Sequence, residues 1–217
     1  MPRVVLISDP VVTRIPVADA GEPLVDLEAS GIMRFSDRKR GSNPRSAFVR
    51  QGVAVRIASA ARTLPAGVRL LGVEAYRPAD LQRHYYSHYR DRLRSENPSL
   101  SENELAALVS RFVSPPEVAP HPSGAAIDLT LCDESGRELD LGSAVDATPE
   151  ASDGACFTDA IGLTAEASAN RRLLVTALSA VGLVNYPTEW WHWSYGDRYW
   201  AMLVGADHAM YGPVDAV

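Results

Sequence analysis

His121-Pro122-Ser123-Gly124-Ala125-Ala126-Ile127-Asp128 and Glu189-Trp190-Trp191-His192 are the two stretches on which this chain turns. Together they hold two imidazoles and two carboxylates, in a sequence with only five histidines. A tetrahedral zinc centre with three protein ligands and one open position draws on that set of donors. An acidic group left off the metal can serve as general base toward a water there. His121, Asp128 and His192 read as the ligands and Glu189 as the base. The alternation from Ala126 to Leu131 predicts a half-buried strand with Ala126, Asp128 and Thr130 on one face. His121 would fall on the opposite face of a regular strand, so the turn-forming Pro122, Ser123 and Gly124 must fold it back. Glu189 and His192 converge on a helical turn or a distorted strand end, but not on a flat strand. Taken singly, either stretch reads equally well as a core histidine beside a helix-capping aspartate.

His-x6-Asp, followed some sixty residues later by Glu-Trp-Trp-His, resembles the zinc D-Ala-D-Ala dipeptidases of the VanX type. These belong to a wider group of zinc peptidases that includes D,D-carboxypeptidases and the hedgehog domain. Glu74-Ala75-Tyr76-Arg77-Pro78, Leu141-Gly142-Ser143-Ala144-Val145-Asp146 and Asn170-Arg171-Arg172-Leu173-Leu174 resemble three further blocks of that family, in the same order. The likeness runs from about residue 42 to 200. It implies an α+β fold, with a small antiparallel sheet carrying the zinc site and α-helices flanking it. It implies one zinc per chain and hydrolysis of D-alanyl-D-alanine, or a similar dipeptide, to free amino acids. It implies that Arg77 holds the developing oxyanion, that Asp146 holds the substrate's ammonium, and that Tyr76, Ala119 and Ser123 lie on the substrate side. Taken alone, Arg77 reads as a surface salt-bridge former and Asp146 as a turn residue. Three positions depart from the family pattern: Ala119 stands where it has serine, Ala75 where it has glycine, and Val145 where it has phenylalanine. The zinc set is intact and the substrate pocket is altered. Two rival readings remain, a zinc D,D-carboxypeptidase or amidase acting on acylated substrates, and a non-catalytic zinc-binding module.

A length of 217 residues fits one domain, with residues 1–40 as an irregular arm. At 46% hydrophobic and 22% charged the composition is that of an ordinary globular chain. A net charge of −6 argues against nucleic acid and against an anionic membrane surface as partners. The small dipeptide is the expected partner. No apolar run reaches membrane-spanning length, and the amino-terminal one is too short for a signal peptide, so a cytoplasmic location is expected. Two distant cysteines, Cys132 and Cys156, make no disulfide framework. There is one lysine, Lys39, against twenty arginines, and Ser36 stands three before it. Serine–lysine peptidase chemistry could draw on that one pair alone, because arginine does not deprotonate to replace a lysine elsewhere. The cluster Arg38-Lys39-Arg40 reads as a solvated loop.

Along the chain, Val4–Ile7 and Leu24–Leu27 read as short strands. Asn43-Pro44 reads as an N-cap and first helical residue, predicting a helix to about Leu64. A strand is expected over Arg69–Tyr76, ending beside Arg77, and a helix over Ala79–Glu96. That helix carries His84 and His88, a histidine pair without the glutamate of a zinc helix. Ser101 and Glu104 form a capping box for a helix to about Val113. After the Asp128 strand, a turn at Asp133–Gly136 predicts a return strand over Glu138–Leu141. Residues 142–164 read as a long binding loop or lid, and Thr164 caps a helix ending before Gly182. Gly196-Asp197 predicts a hairpin between Trp190–Tyr195 and Arg198–Leu203.

Overall fold

Asp128 lies on the central strand of a five-stranded sheet. The computed structural model describes residues 4–214. After a one-turn helix at Pro10–Thr13 (α1) come the strands Leu24–Asp26 (β1), Arg34–Phe35 (β2) and Phe48–Arg50 (β3), then Gln51–Ala61 (α2) and Val68–Glu74 (β4). Two helices follow, Ala79–Glu96 (α3) and Glu102–Val109 (α4), then a 3-10 turn at His121–Ser123 and the strand Ala126–Asp133 (β5). The rest is Pro149–Ser152 (α5), Ala165–Ser179 (α6), the hairpin strands Val184–Tyr186 (β6) and Glu189–Ser194 (β7), and Arg198–Val204 (α7). The large sheet has the order β2-β4-β5-β7-β6, and β1 pairs with β3 in a separate ribbon. All neighbours are antiparallel except β2, which runs parallel to β4 at the edge. The α+β class is as expected, and the sheet is antiparallel but for that one short strand.

β5 is buried along both faces, not half-buried. Ile127, Leu129 and Leu131 enter the main core with Val53, Ile57, Leu174 and Leu178 of α2 and α6. Asp128 and Thr130 occupy the other face and are buried beneath the walls of a cleft. The apolar face thus fixes the strand's register, and the register fixes where Asp128 points.

Four local expectations fail, the first two for identifiable reasons. The helix expected from Asn43 starts only at Gln51, because the Asn43 amide is used elsewhere: it donates to Glu74 Oε1 (3.1 Å) and to the Tyr76 carbonyl (2.7 Å). The chain between forms β3, whose buried Arg50 donates to the carbonyls of Ser123, Glu22 and Gly212 and pairs with Asp19. Arg198–Val204 is a helix and not a hairpin strand, since the Asp197 side chain caps it by accepting from Trp200 N (2.8 Å). Val4–Ile7 is not a strand, and the return strand after β5 shrinks to one bridge between Cys132 and Glu138. The capping box at Ser101 and the Thr164 cap form as expected.

The loop after Leu141 is held, not loose. Arg171 of α6 is buried and donates to the carbonyls of Leu141, Ala155 and Phe157, while Asn170 donates to Asp140 O. One guanidinium thereby satisfies several otherwise orphaned carbonyls of an irregular segment. The carboxy-terminal residues likewise fasten the amino-terminal arm, through Ala18 N to Ala209 O and Ala20 N to Met210 O.

Candidate active site

His121, Asp128 and His192 converge from three segments. One donor atom of each lies within 4.8 Å of the others, and all three residues are buried. His121 Nε2 is 3.4 Å from Asp128 Oδ2, and His192 Nδ1 is 2.9 Å from Asp128 Oδ1. Asp128 and His192 are register partners across β5 and β7, which accounts for that proximity. His121 is delivered by the 3-10 turn, which Gly124 closes at φ +69°. A Cβ at Gly124 would stand 2.5 Å from Leu24 Cδ2, so glycine is required there both by conformation and by space. The Ala75 carbonyl lies 2.5 Å from His121 Nδ1. A carbonyl can only accept, so Nδ1 carries the proton and Nε2 faces the cluster with its lone pair. Burial alone would raise the Asp128 carboxyl, but the two imidazoles hold it well below the usual carboxylate range. Two imidazole nitrogens and a carboxylate oxygen on one wall of a cavity fit a tetrahedral metal with an open position. Among the described residues no other such cluster occurs.

Glu189 stands at the start of β7, with Oε2 4.0 Å from His192 Nδ1. Against β6 the register jumps: Asn185 faces Trp193, while Tyr186 faces Glu189. This is the distorted strand end that the spacing demanded. Asn185 braces it, its amide donating to the carbonyls of Glu189 (3.1 Å) and His192 (3.0 Å). Burial pushes the Glu189 carboxyl up to about 8, with His192 opposing and Asp128 adding to the rise. A cation held by the three donors would oppose that rise and favour the carboxylate, the form a general base needs.

Arg77 reaches the same cleft but is not a loose edge residue. Its Nε and Nη2 bind Glu74 Oε1 and Oε2 at 3.1 and 2.6 Å, and Nη1 donates to Gln82 Oε1 at 2.8 Å. Glu74 is fully buried. Burial would raise its pKa, yet the Arg77 guanidinium holds it below the ordinary value of 4.5. The sign follows: the unfolded chain binds the proton first as pH falls. The pair's stabilisation is therefore complete above about pH 4.5 and lost as pH drops through the depressed folded value. Glu74→Ala is expected to cost about 3–5 kcal/mol, because it strands a buried guanidinium. In urea titrations, Glu74→Gln should lose less stability than wild type on going from pH 7 to pH 4.

Asp146 sits on the loop after β5 at φ +66°, a conformation uncommon for a non-glycine residue. Its Oδ2 is 2.8 Å from Lys39 Nζ. Lys39 is thus no solvated residue: its side chain is 23% exposed and faces the cleft. The signal available in the sequence was its singularity among twenty arginines. Ala119 lines the cleft over the cluster, whose volume is about 70 Å³. Tyr76 and Ser123 do not line it. The Tyr76 hydroxyl donates to Val214 O (2.7 Å), and Ser123 Oγ donates to Pro120 O (2.6 Å), within the turn that carries His121. His84 and His88 lie exposed on α3 with ring centroids 6.3 Å apart, outside the cluster. Cys132 and Cys156 are buried thiols and not part of the cluster.

A family model described as D-ala-D-ala dipeptidase matches residues 33–209. A D-alanyl-D-alanine dipeptidase of Synechocystis sp. is 29% identical over 240 residues, which span 93% of this chain and 95% of that protein. The D-alanyl-D-alanine dipeptidase of Escherichia coli K12 is 39% identical over 72 residues, or 33% of this chain and 35% of that one. Among solved structures, the LD-carboxypeptidase LdcB superposes with a TM-score of 0.49 at 17% identity, covering 87% of this chain and 76% of its own. The vancomycin-resistance D,D-pentapeptidase VanY, solved with Zn(II), gives 0.41 at 14%, covering 73% and 80%. Among the described residues, no helix is long and apolar enough to cross a membrane.

Proposed function

The chain belongs to the D-Ala-D-Ala dipeptidase family of peptidases, and on that premise we propose that it hydrolyses D-alanyl-D-alanine, or a similar D-amino-acid dipeptide, to free amino acids. His121, Asp128 and His192 would hold one zinc. The observation that carries this reading is the convergence of those three donors with the partly buried Glu189 carboxyl beside them, 4.0 Å from His192 Nδ1.

Zinc held there would supply a Lewis acid for the scissile carbonyl and lower the pKa of a water. Glu189 takes a proton from the attacking water on its carboxylate and delivers it to the nitrogen of the leaving amine, so that it ends each cycle ionised as it began. Arg77, fixed by Glu74 and Gln82, presents guanidinium N–H groups to the oxygen on which negative charge develops. Because that arginine is already held in place, little reorganisation is required as the charge appears. The Glu74–Asn43 contact braces it from behind.

Asp146 offers a carboxylate to the substrate's ammonium. Its pairing with Lys39 means that the incoming ammonium competes with a resident one. The same pairing favours a second reading, a carboxypeptidase whose acylated substrate brings no ammonium at all. Two variants separate these. Asp146→Asn is expected to raise KM for D-Ala-D-Ala about tenfold, the loss of a charge-assisted contact, while leaving any action on N-acetyl-D-Ala-D-Ala unchanged. Lys39→Met is expected to lower KM for the free dipeptide by removing the competitor. Should Lys39→Met raise that KM instead, Lys39 supports Asp146 and does not compete for it.

A further inference from the structure

Beyond Asp146 the cleft opens into a second chamber of about 400 Å³, against about 70 Å³ directly over the donor cluster. The two spaces share Arg77, Phe112, Asp146, Glu189 and Trp191 as walls, so they adjoin. The chamber is walled by Tyr85 and Tyr89 of α3, by Phe112 and Val113 beyond α4, and by Trp191. Tyr89 and Phe112 meet edge to face with centroids 6.0 Å apart. The loop side is closed by Ala147, next to Asp146. The basic groups at its rim are already matched, Arg77 by Glu74 and Lys39 by Asp146. An acidic side chain entering the chamber would meet only cations that already have partners, and burying it there would be costly. An apolar ring would exchange water for aromatic walls.

We propose that this chamber is the subsite for the side chain of the substrate's amino-terminal residue and that it takes a large apolar or aromatic group. The inference rests on the dipeptidase reading, because Asp146 sets which end of the dipeptide faces the chamber. The methyl group of alanine leaves the space unfilled. A phenyl group fills it, and an apolar group of that size changes kcat/KM by at least about tenfold.

The test compares D-Ala-D-Ala, D-Phe-D-Ala and D-Ala-D-Phe. The zinc-loaded wild-type protein should cleave D-Phe-D-Ala with kcat/KM at least about tenfold above D-Ala-D-Ala, and D-Ala-D-Phe should gain nothing. Calorimetric binding to Glu189→Gln should rank the three dipeptides in the same way without turnover. Two fillings from opposite walls, Val113→Phe and Ala147→Leu, should each lower kcat/KM for D-Phe-D-Ala more than for D-Ala-D-Ala and so remove the advantage of the former. Weaker binding of D-Phe-D-Ala than of D-Ala-D-Ala overturns the proposal, as does an equal loss for both substrates in both fillings. If the wild-type protein cleaves none of the three, the dipeptidase reading fails, while the binding series still decides for or against the chamber.

Discussion

Glu189→Gln is expected to retain about one zinc per chain and to lower kcat for D-Ala-D-Ala by about 10³-fold, within the usual span for removing a general acid–base group. KM should change little, since the substitution keeps the shape of the side chain and the proton transfer belongs to the transition state. The physical ground is the separation of roles within the hairpin. His192 turns into the cluster with Asp128, whereas Glu189 lies 4.0 Å from His192 Nδ1 and is brought to the cavity by the register jump at Asn185. Zinc content measured after dialysis, beside steady-state rates, reads both halves of the expectation. Loss of the metal in this variant would make Glu189 a ligand.

Asp128→Ala has the other large effect, the loss of both metal and activity. This residue supplies the only carboxylate of the donor set and links the two imidazoles, at 3.4 and 2.9 Å. Without it, two neutral nitrogens remain for a divalent ion, and neither a structural nor a catalytic zinc site is made of two ligands. His192→Ala and His121→Ala should behave in the same way. Full zinc occupancy in the His192→Ala protein, by atomic absorption, would contradict the ligand assignment.

The donors were legible because each announces itself locally. Histidines are scarce in the chain, His121 precedes a turn that must fold back, and Asp128 alternates with core aliphatics. The three-residue interval at Glu189 left a helical turn or a distorted strand end open, and the structure has the second. The supporting contacts left no comparable trace. Asn43 was misread as a helix cap because Asn-Pro is a strong local signal, and its true partners lie 31 and 33 residues away. Taken alone, Arg77 was readable only as a surface salt-bridge former, since neither Glu74 nor Gln82 carries a sign that its side chain turns inward. Lys39 and Asp146 meet across more than a hundred residues, and no spacing rule joins them. Asn185 braces β7 through carbonyls, which any sequence supplies. One miss was avoidable: Asp197 directly precedes a helix and caps it, and an aspartate in that place is itself a start signal.

The most direct measurement is the alanine released when the zinc-loaded protein is incubated separately with D-Ala-D-Ala, N-acetyl-D-Ala-D-Ala and L-Ala-L-Ala. The account predicts release from D-Ala-D-Ala, with little or none from the other two. Faster release from the N-acetylated substrate would contradict it in favour of a carboxypeptidase, and release from none would remove D-alanyl dipeptide hydrolysis from this chain.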